Sequence, residues 1–217
     1  MLLMVLGGCT LPHPASTPLV YDFGPGAVQI PPTTRIANLP PLELSTVQAV
    51  AALNSSAVLY RLTYADAQQL KPYTLARWSM PPAQLIGQRL RERLGMRRAI
   101  VAPGEIVHGN PARLPASAQT PAVRPEPLLN LRLELEEFSQ LFETPDQSTG
   151  LLRLRATLLQ RGPGGESLLA QRSFIVQQPA PTPDASGGVR ALTAATDGAI
   201  ADMETWLGQV MPLGNAP

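Results

Sequence analysis

The sequence is poor in the residues from which most catalytic and metal sites are built. It contains one cysteine and two histidines in 217 residues. The chain therefore lacks the residues needed for a disulfide framework or a Cys/His metal cluster, and a Cys–His catalytic pair is not indicated. Charged residues make up only 15% of the chain and the formal net charge is +1, which argues against a nucleic-acid-binding protein, because neutralising phosphates requires a cationic surplus. No apolar run reaches the roughly 18 residues that predict a transmembrane helix. Apolar residues nevertheless reach 44%, enough for a folded core.

The first nine residues resemble the end of a bacterial lipoprotein signal. Residues 1–6 are apolar, and the small pair Gly7-Gly8 directly precedes Cys9, the only cysteine of the chain. Signal peptidases require small residues just before the cut, and in the lipobox of bacterial lipoproteins the cysteine that follows carries the lipid. We therefore expect residues 1–8 to be a truncated signal segment, with the true start codon upstream, and Cys9 to be lipidated. The alternative is a buried free cysteine in an N-terminal strand.

The residues after Cys9 predict a tether. Residues 10–18 hold three prolines and show no apolar periodicity, which is typical of a linker between an anchor and a folded domain. Thr10 stands where an aspartate would favour retention in the inner membrane. By resemblance to other Gram-negative lipoproteins, the chain is therefore expected in the outer membrane, lipid-anchored and facing the periplasm.

Residues 19–212 predict a single α+β domain. Residues 129–136 alternate leucines with polar side chains, the period of a strand with one buried and one wet face. The alternation returns at residues 152–158, and a third strand is predicted at 168–176. These three strands predict an antiparallel meander whose outward Glu and Arg side chains pair across strands. Shorter strands are predicted at 19–23, 42–50, 58–62 and 73–78.

Two amphipathic helices complete the prediction. The first is opened by Pro81-Pro82, carries Leu85, Ile86, Leu90 and Leu94 on one face and ends at Gly95. The second spans residues 189–210. The simplest closed arrangement is an antiparallel sheet with both helices packed on one face. A proline-rich stretch at about 103–127 is predicted to be an insertion between the first helix and the meander.

Taken in order, these features resemble the ABC-type transport auxiliary lipoprotein component family. The resemblance is carried by Tyr73-x-x-x-Arg77-Trp78, the proline-opened helix, the spacing Leu131-x-Leu133-x-Leu135-x-x-Phe138 and the terminal Trp206-Leu207. It spans essentially the whole mature chain. The truncated signal and the long 103–127 insertion depart from the family pattern.

The resemblance implies a non-catalytic accessory subunit rather than an enzyme. The system would be a mammalian-cell-entry (MCE) type ABC transporter that moves lipids between the inner and outer membranes, as in the paraquat-inducible operon. The implied partners are an MCE-domain substrate-binding protein, a permease and an ATPase. The ATPase must be another subunit, because the chain has no Gly-x-x-x-x-Gly-Lys-Ser/Thr loop. No cofactor and no nucleic-acid partner is implied, and self-association stays open.

Four residues are candidates for a partner contact. Arg77 and Trp78 end a predicted strand, where they either meet a partner or form a packed pair with a stacked cation. Arg97 and Arg98 end an arginine-rich stretch that either meets an acidic partner or anionic headgroups, or is a solvated face favoured near a helix C-terminus. No catalytic, cofactor-binding or metal-binding residue is predicted.

Two alternative functions stay open from the sequence. The chain is either a structural or assembly lipoprotein of another envelope machine, or an independent lipid-binding module with its own apolar pocket. Neighbouring genes for an ATPase, a permease and an MCE-domain protein would distinguish the transport role from the assembly role. Lipid that co-purifies with the delipidated protein would favour the binding module.

Overall fold

The computed structural model describes residues 17–26, 39–103, 128–162 and 164–211. Over these ranges the chain forms nine strands and two α-helices. In order they are β1 (Leu19–Tyr21), β2 (Leu42–Leu44), β3 (Gln48–Ala49), β4 (Ala57–Leu62), β5 (Asp66–Trp78), α1 (Pro82–Leu94), β6 (Ile100–Val101), β7 (Leu128–Thr144), β8 (Gln147–Gly162), β9 (Gly165–Pro179) and α2 (Ala185–Val210). The predicted signal segment, Cys9, the tether up to residue 16 and the insertion from residue 104 lie outside the described residues.

Strands β7, β8 and β9 form the antiparallel meander that the leucine alternation predicts. Leu133 faces Ala156 and Leu154 faces Phe174 across the strand pairs, and all four side chains are buried. A register shift after Leu135 inserts one extra residue into β7. This bulge explains the Leu-x-Leu-x-x-Phe spacing, because it brings Phe138 back into the core.

The outward side chains of the meander form the predicted ion pairs. Arg155 contacts Glu136 and lies 3.9 Å from Glu134, while Arg132 contacts Glu166. The arginine of each pair is exposed to about half, so solvent screens the charges and the pairs contribute little to stability. The buried leucines, rather than the ion pairs, hold the meander in place.

The sheet as a whole is mixed, which corrects the prediction of an antiparallel meander alone. The strand order is β1-β5-β4-β7-β2-β6, with β3 and β8 also on β7 and β9 on β8. β1 is parallel to β5, and β2, β3 and β4 are all parallel to β7. Side-chain alternation indicates which face of a strand is buried, but not the direction of its neighbour. Short strands separated by long connections have no hairpin turn to set that direction.

Both helices share one core with the sheet. The buried side chains of α1 and α2 join the leucines of β7 and β8 in a single cluster, and the helices contact each other. A Cβ at Gly150 of β8 would lie 2.8 Å from the backbone of Ala191 and Leu192, so α2 packs directly against the sheet. α2 begins four residues before the predicted start because Asp184 caps it, accepting a hydrogen bond from the Gly187 N–H at 2.7 Å. This bond lowers the pKa of the Asp184 carboxyl below its usual range.

The two faces of the sheet predict unequal costs of mutation. Leu154→Ala is expected to lower the free energy of unfolding by about 2–5 kcal/mol, because a fully buried leucine leaves a cavity. Its exposed neighbour Arg153→Ala is the matched control, with an expected change within about 0.5 kcal/mol. Urea denaturation followed by circular dichroism measures both, and a reversed ranking would mean that the faces are wrongly assigned.

Candidate partner-docking site

The C-terminal end of helix α1 presents the arginine-rich stretch. Pro82 occupies the first turn, where a missing N–H costs no hydrogen bond. Gly95 ends the helix as predicted, and its N–H donates to the Arg91 carbonyl at 2.9 Å. Positive side chains are favoured at this end because they face the negative pole of the helix dipole. The local sequence thus concentrates cationic charge where α1 stops.

A cleft of about 210 Å³ lies between the ends of the two helices. Leu94, Arg97 and Arg98 line it from the α1 side; Glu204, Gly208 and Met211 line it from the α2 side. Small-molecule sites usually enclose roughly 300–1,000 Å³. The cleft is therefore small for a ligand pocket and suits the seating of a few partner side chains.

Arg97 and Arg98 take different positions in this cleft. Arg98 is only 4% exposed, and its Nη1 donates to the Met211 sulfur at 3.8 Å. Burial lowers the pKa of the Arg98 guanidinium, the neighbouring Arg97 adds to the effect and Glu204 opposes it. Arg97 is exposed. Arg98 thus belongs to the wall of the cleft, and Arg97 is the cation that a partner can reach.

Trp78 is part of the core, which corrects the expectation that it contacts a partner. Its side chain is 1% exposed, and its ring centroid lies 5.6 Å from that of Phe23 and 5.6 Å from that of Phe138. The preceding residue, Arg77, is exposed and lies opposite Val20 of β1. The Arg77–Trp78 pair sits at the end of β5 and does not line the cleft, so the four candidates do not form one site.

Arg89 is a structural arginine of α1 that was not among the predicted contact residues. It is only 8% exposed, and its Nη2 donates to the Phe23 carbonyl at 2.7 Å. Its Nε lies 3.1 Å from Asp197 Oδ1, in an ion pair without hydrogen-bond alignment. Arg89 thus ties α1 both to the segment after β1 and to α2. Arg89 follows Leu85 by four residues and so lies on the apolar stripe of α1. This position was the sequence signal that could have indicated its burial.

A second buried charge links β2 to the meander. Glu43 is buried and accepts two hydrogen bonds from Arg161, at 2.9 and 3.1 Å, and one from the Asn130 side-chain amide at 3.0 Å. Arg161 also pairs with Glu166. The Glu43 carboxylate is thus hydrogen-bonded to Arg161 and Asn130. We assign it a structural role in holding β2 to the meander, not a catalytic one.

Tyr73, which helps to carry the family resemblance, has a structural role as well. Its hydroxyl donates to Gln140 Oε1 at 2.9 Å, and Gln140 in turn donates to Ser148 Oγ at 2.8 Å. Burial raises the pKa of the Tyr73 phenol well above its usual value, with smaller contributions from Tyr60 and Asp184. The phenol therefore stays protonated at neutral pH and holds β5 to β7.

Two further observations concern the described ranges only. No three His, Cys, Asp or Glu side chains within them converge as a metal site requires. Neither helix combines the length and apolarity that crossing a membrane requires.

Comparisons with known proteins identify a family from the sequence and a fold from solved structures. Residues 21–204 match the family model described as the ABC-type transport auxiliary lipoprotein component. The fold is similar to protein XCC0632 from Xanthomonas campestris, with a TM-score of 0.59, 15% identity and coverage of 92% of this chain and 90% of that one. It is also similar to the hypothetical protein CT253 from Chlamydia trachomatis, with a TM-score of 0.50, 11% identity and coverage of 79% and 97%. No functionally curated protein matches the chain.

Proposed function

The chain belongs to the family of ABC-type transport auxiliary lipoprotein components, and from that membership we propose that it serves an MCE-type ABC system for lipid transport between the inner and outer membranes. The family is defined by an auxiliary role in transport and by a lipoprotein anchor, which supports a non-catalytic subunit held at a membrane. The anchor is proposed at Cys9, in the outer membrane, with the domain facing the periplasm. The partners are the MCE-domain substrate-binding protein, the permease and the ATPase.

The observation that carries the proposal is the extent of the family match. It covers residues 21–204, from the last residue of β1 to the last two turns of α2. The family relationship therefore concerns most of the core rather than one motif. The small volume of the cleft favours docking to a partner over enclosure of a lipid within this chain.

The proposed docking contact is Arg97 at the cleft. It is an exposed cation, and exposed charges steer association toward an acidic partner surface. Arg77, exposed at the end of β5 and away from the cleft, is the second place to be tested. The nine-residue tether reaches at most about 30 Å, so the domain stays close to its membrane. Such anchoring raises the local concentration of the domain and lets a small contact area suffice.

Pull-down with the MCE-domain protein of the same operon tests the proposal. The intact chain is expected to bind, and Arg97→Glu is expected to weaken binding by about tenfold through loss and reversal of the charge. Arg77→Glu tests the second place separately. Arg153→Glu is the matched control, because it reverses an exposed arginine on the sheet face away from the helices.

The outcomes separate the candidate functions. Failure of the intact chain to bind the MCE-domain protein, together with normal outer-membrane integrity in a deletion strain, contradicts the transport role. Capture of components of a different envelope machine would instead support the assembly role. Equal loss of binding in the Arg97→Glu and Arg153→Glu variants would mean that the charge effect is not local to the cleft.

A further inference from the structure

Strand β1 exposes a small apolar patch at the edge of the sheet. Leu19 is 63% exposed and Val20 is 54% exposed, and Leu75 on the neighbouring strand β5 is 50% exposed. In the described part of the chain β1 pairs with β5 alone, in the register Leu19 to Ala76 and Val20 to Arg77. Because side chains alternate between the two faces along a strand, Leu75 and Arg77 share a face with Val20, whereas Leu19 lies on the opposite face with the buried Ala76. We call Val20 and Leu75 the β1 patch.

The core does not account for the β1 patch. The chain turns inward directly after it: Tyr21 packs against the core, and Phe23 is buried against Trp78 and Phe138. A strand held by Tyr21 and Phe23 would fold as well with a polar residue at position 20. Exposed aliphatic side chains that share one face at the edge of a sheet, as Val20 and Leu75 do, are otherwise a hazard for aggregation, so a surface that covers them is expected.

The position of the patch along the chain indicates what covers it. Leu19 follows Cys9 by ten residues, and the tether between them spans at most about 30 Å. β1 is therefore the element through which the anchored chain enters the fold, and its edge stays within reach of the bilayer. This inference rests on the anchor at Cys9 that the proposed function assumes. We propose that the β1 patch lies on the lipid surface that carries the anchor.

The charges around the patch suit an interface with anionic headgroups. Arg77, exposed and opposite Val20, places a cation beside the aliphatic side chains, and an arginine can extend to headgroups while its stem covers apolar surface. Asp22 is the acidic residue of the same segment, and its Oδ1 accepts a hydrogen bond from the Gly24 N–H at 2.8 Å. A basic residue next to aliphatic ones is the pattern of an interfacial membrane contact.

The opposite edge of the sheet supplies a matched control. β9 pairs with β8 alone among the described strands, and its Leu168 is 63% exposed, compared with 54% for Val20. Leu168 and Val20 are thus both exposed aliphatic residues on outer strands of one sheet. They differ in their distance along the chain from Cys9.

Depth-dependent fluorescence quenching tests the proposal on the full chain. The purified protein is coupled through Cys9, its single thiol, to a maleimide-bearing lipid in phosphatidylethanolamine vesicles, with and without phosphatidylglycerol. Brominated phospholipids in the same vesicles quench tryptophans that contact the acyl region. Val20→Trp is expected to be quenched about threefold more than Leu168→Trp after subtraction of the unchanged chain, because interfacial side chains reach the acyl boundary. Arg77→Ala in the Val20→Trp background should lower quenching only where phosphatidylglycerol is present.

Each outcome bears on the patch alone. Equal quenching of the Val20→Trp and Leu168→Trp variants, both with native circular dichroism, overturns the proposal. Coupling through a synthetic lipid makes the result independent of natural lipidation, and the vesicles hold no partner protein. Failure here would therefore leave the MCE-domain pull-down unaffected, and failure of the pull-down would leave the quenching result standing.

Discussion

Replacing Trp78 with alanine is expected to lower the free energy of unfolding by about 3–5 kcal/mol. The indole is 1% exposed and packs against Phe23 and Phe138, so its loss leaves a cavity where the segment after β1, the end of β5 and the middle of β7 meet. Urea denaturation measured by far-ultraviolet circular dichroism gives the change. The second tryptophan, Trp206, stacks edge-on with Phe174 and serves as an independent fluorescence probe.

The neighbouring residue and a conservative change provide the controls. Arg77→Ala is expected to change stability by no more than about 0.5 kcal/mol, because the side chain is exposed. Trp78→Phe should recover much of the loss, since it refills part of the cavity. A Trp78→Ala cost equal to that of Arg77→Ala would contradict burial of the indole.

Replacing Cys9 with serine is expected to abolish lipid labelling and to release the protein from the membrane fraction. The sulfur of this residue is the nucleophile that takes the diacylglyceryl group, the sequence holds no second cysteine, and the serine hydroxyl does not replace it. Expression behind a full-length lipoprotein signal, metabolic labelling with a palmitate analogue and fractionation of the envelope measure the effect. Two or more acyl chains give a durable anchor, whereas the protein without them is held only by weak contacts.

A neighbouring substitution controls for general disturbance of the signal. Thr10→Ser keeps the small-residue cleavage pattern and the cysteine, and should label as the unchanged protein does. Labelling and membrane association that survive in Cys9→Ser would refute the lipobox interpretation. Normal labelling with fractionation to the inner membrane would retain the anchor but refute the outer-membrane location.

The parts of the fold that were predictable follow from local periodicity. Alternating leucines predicted β7 and β8, because a strand with one buried face must alternate. Pro81-Pro82 and the apolar stripe predicted α1. The bulge in β7 was not predicted, although the two polar residues between Leu135 and Phe138 are its local signal in the sequence. Each of these signals is contained within a short window of sequence.

The parts that were not predictable depend on distant partners. The parallel pairing of β2, β3 and β4 with β7 joins segments that are far apart in the chain. Trp78 lies next to an exposed arginine, and only the approach of Phe23 and Phe138 shows that it is buried. Arg98, likewise, follows an exposed arginine and is covered by the end of α2. The sequence therefore indicated where positive charge is concentrated. It did not indicate which of the candidate residues are exposed to a partner.

The position of β7 in the chain has a consequence for the order in which the protein folds. Strands β2, β3 and β4 are made before β7 but are parallel to it, while β6 joins the sheet through β2. Among the elements that precede β7, strands β4 and β5 can pair with each other at once, as an antiparallel hairpin. Long-range parallel pairing is slow because the connecting chain must close first. On the proposed export route the chain is delivered N-terminus first, so its early segments must stay unaggregated until β7 has also been delivered. We therefore expect this domain to depend on holding chaperones while it folds.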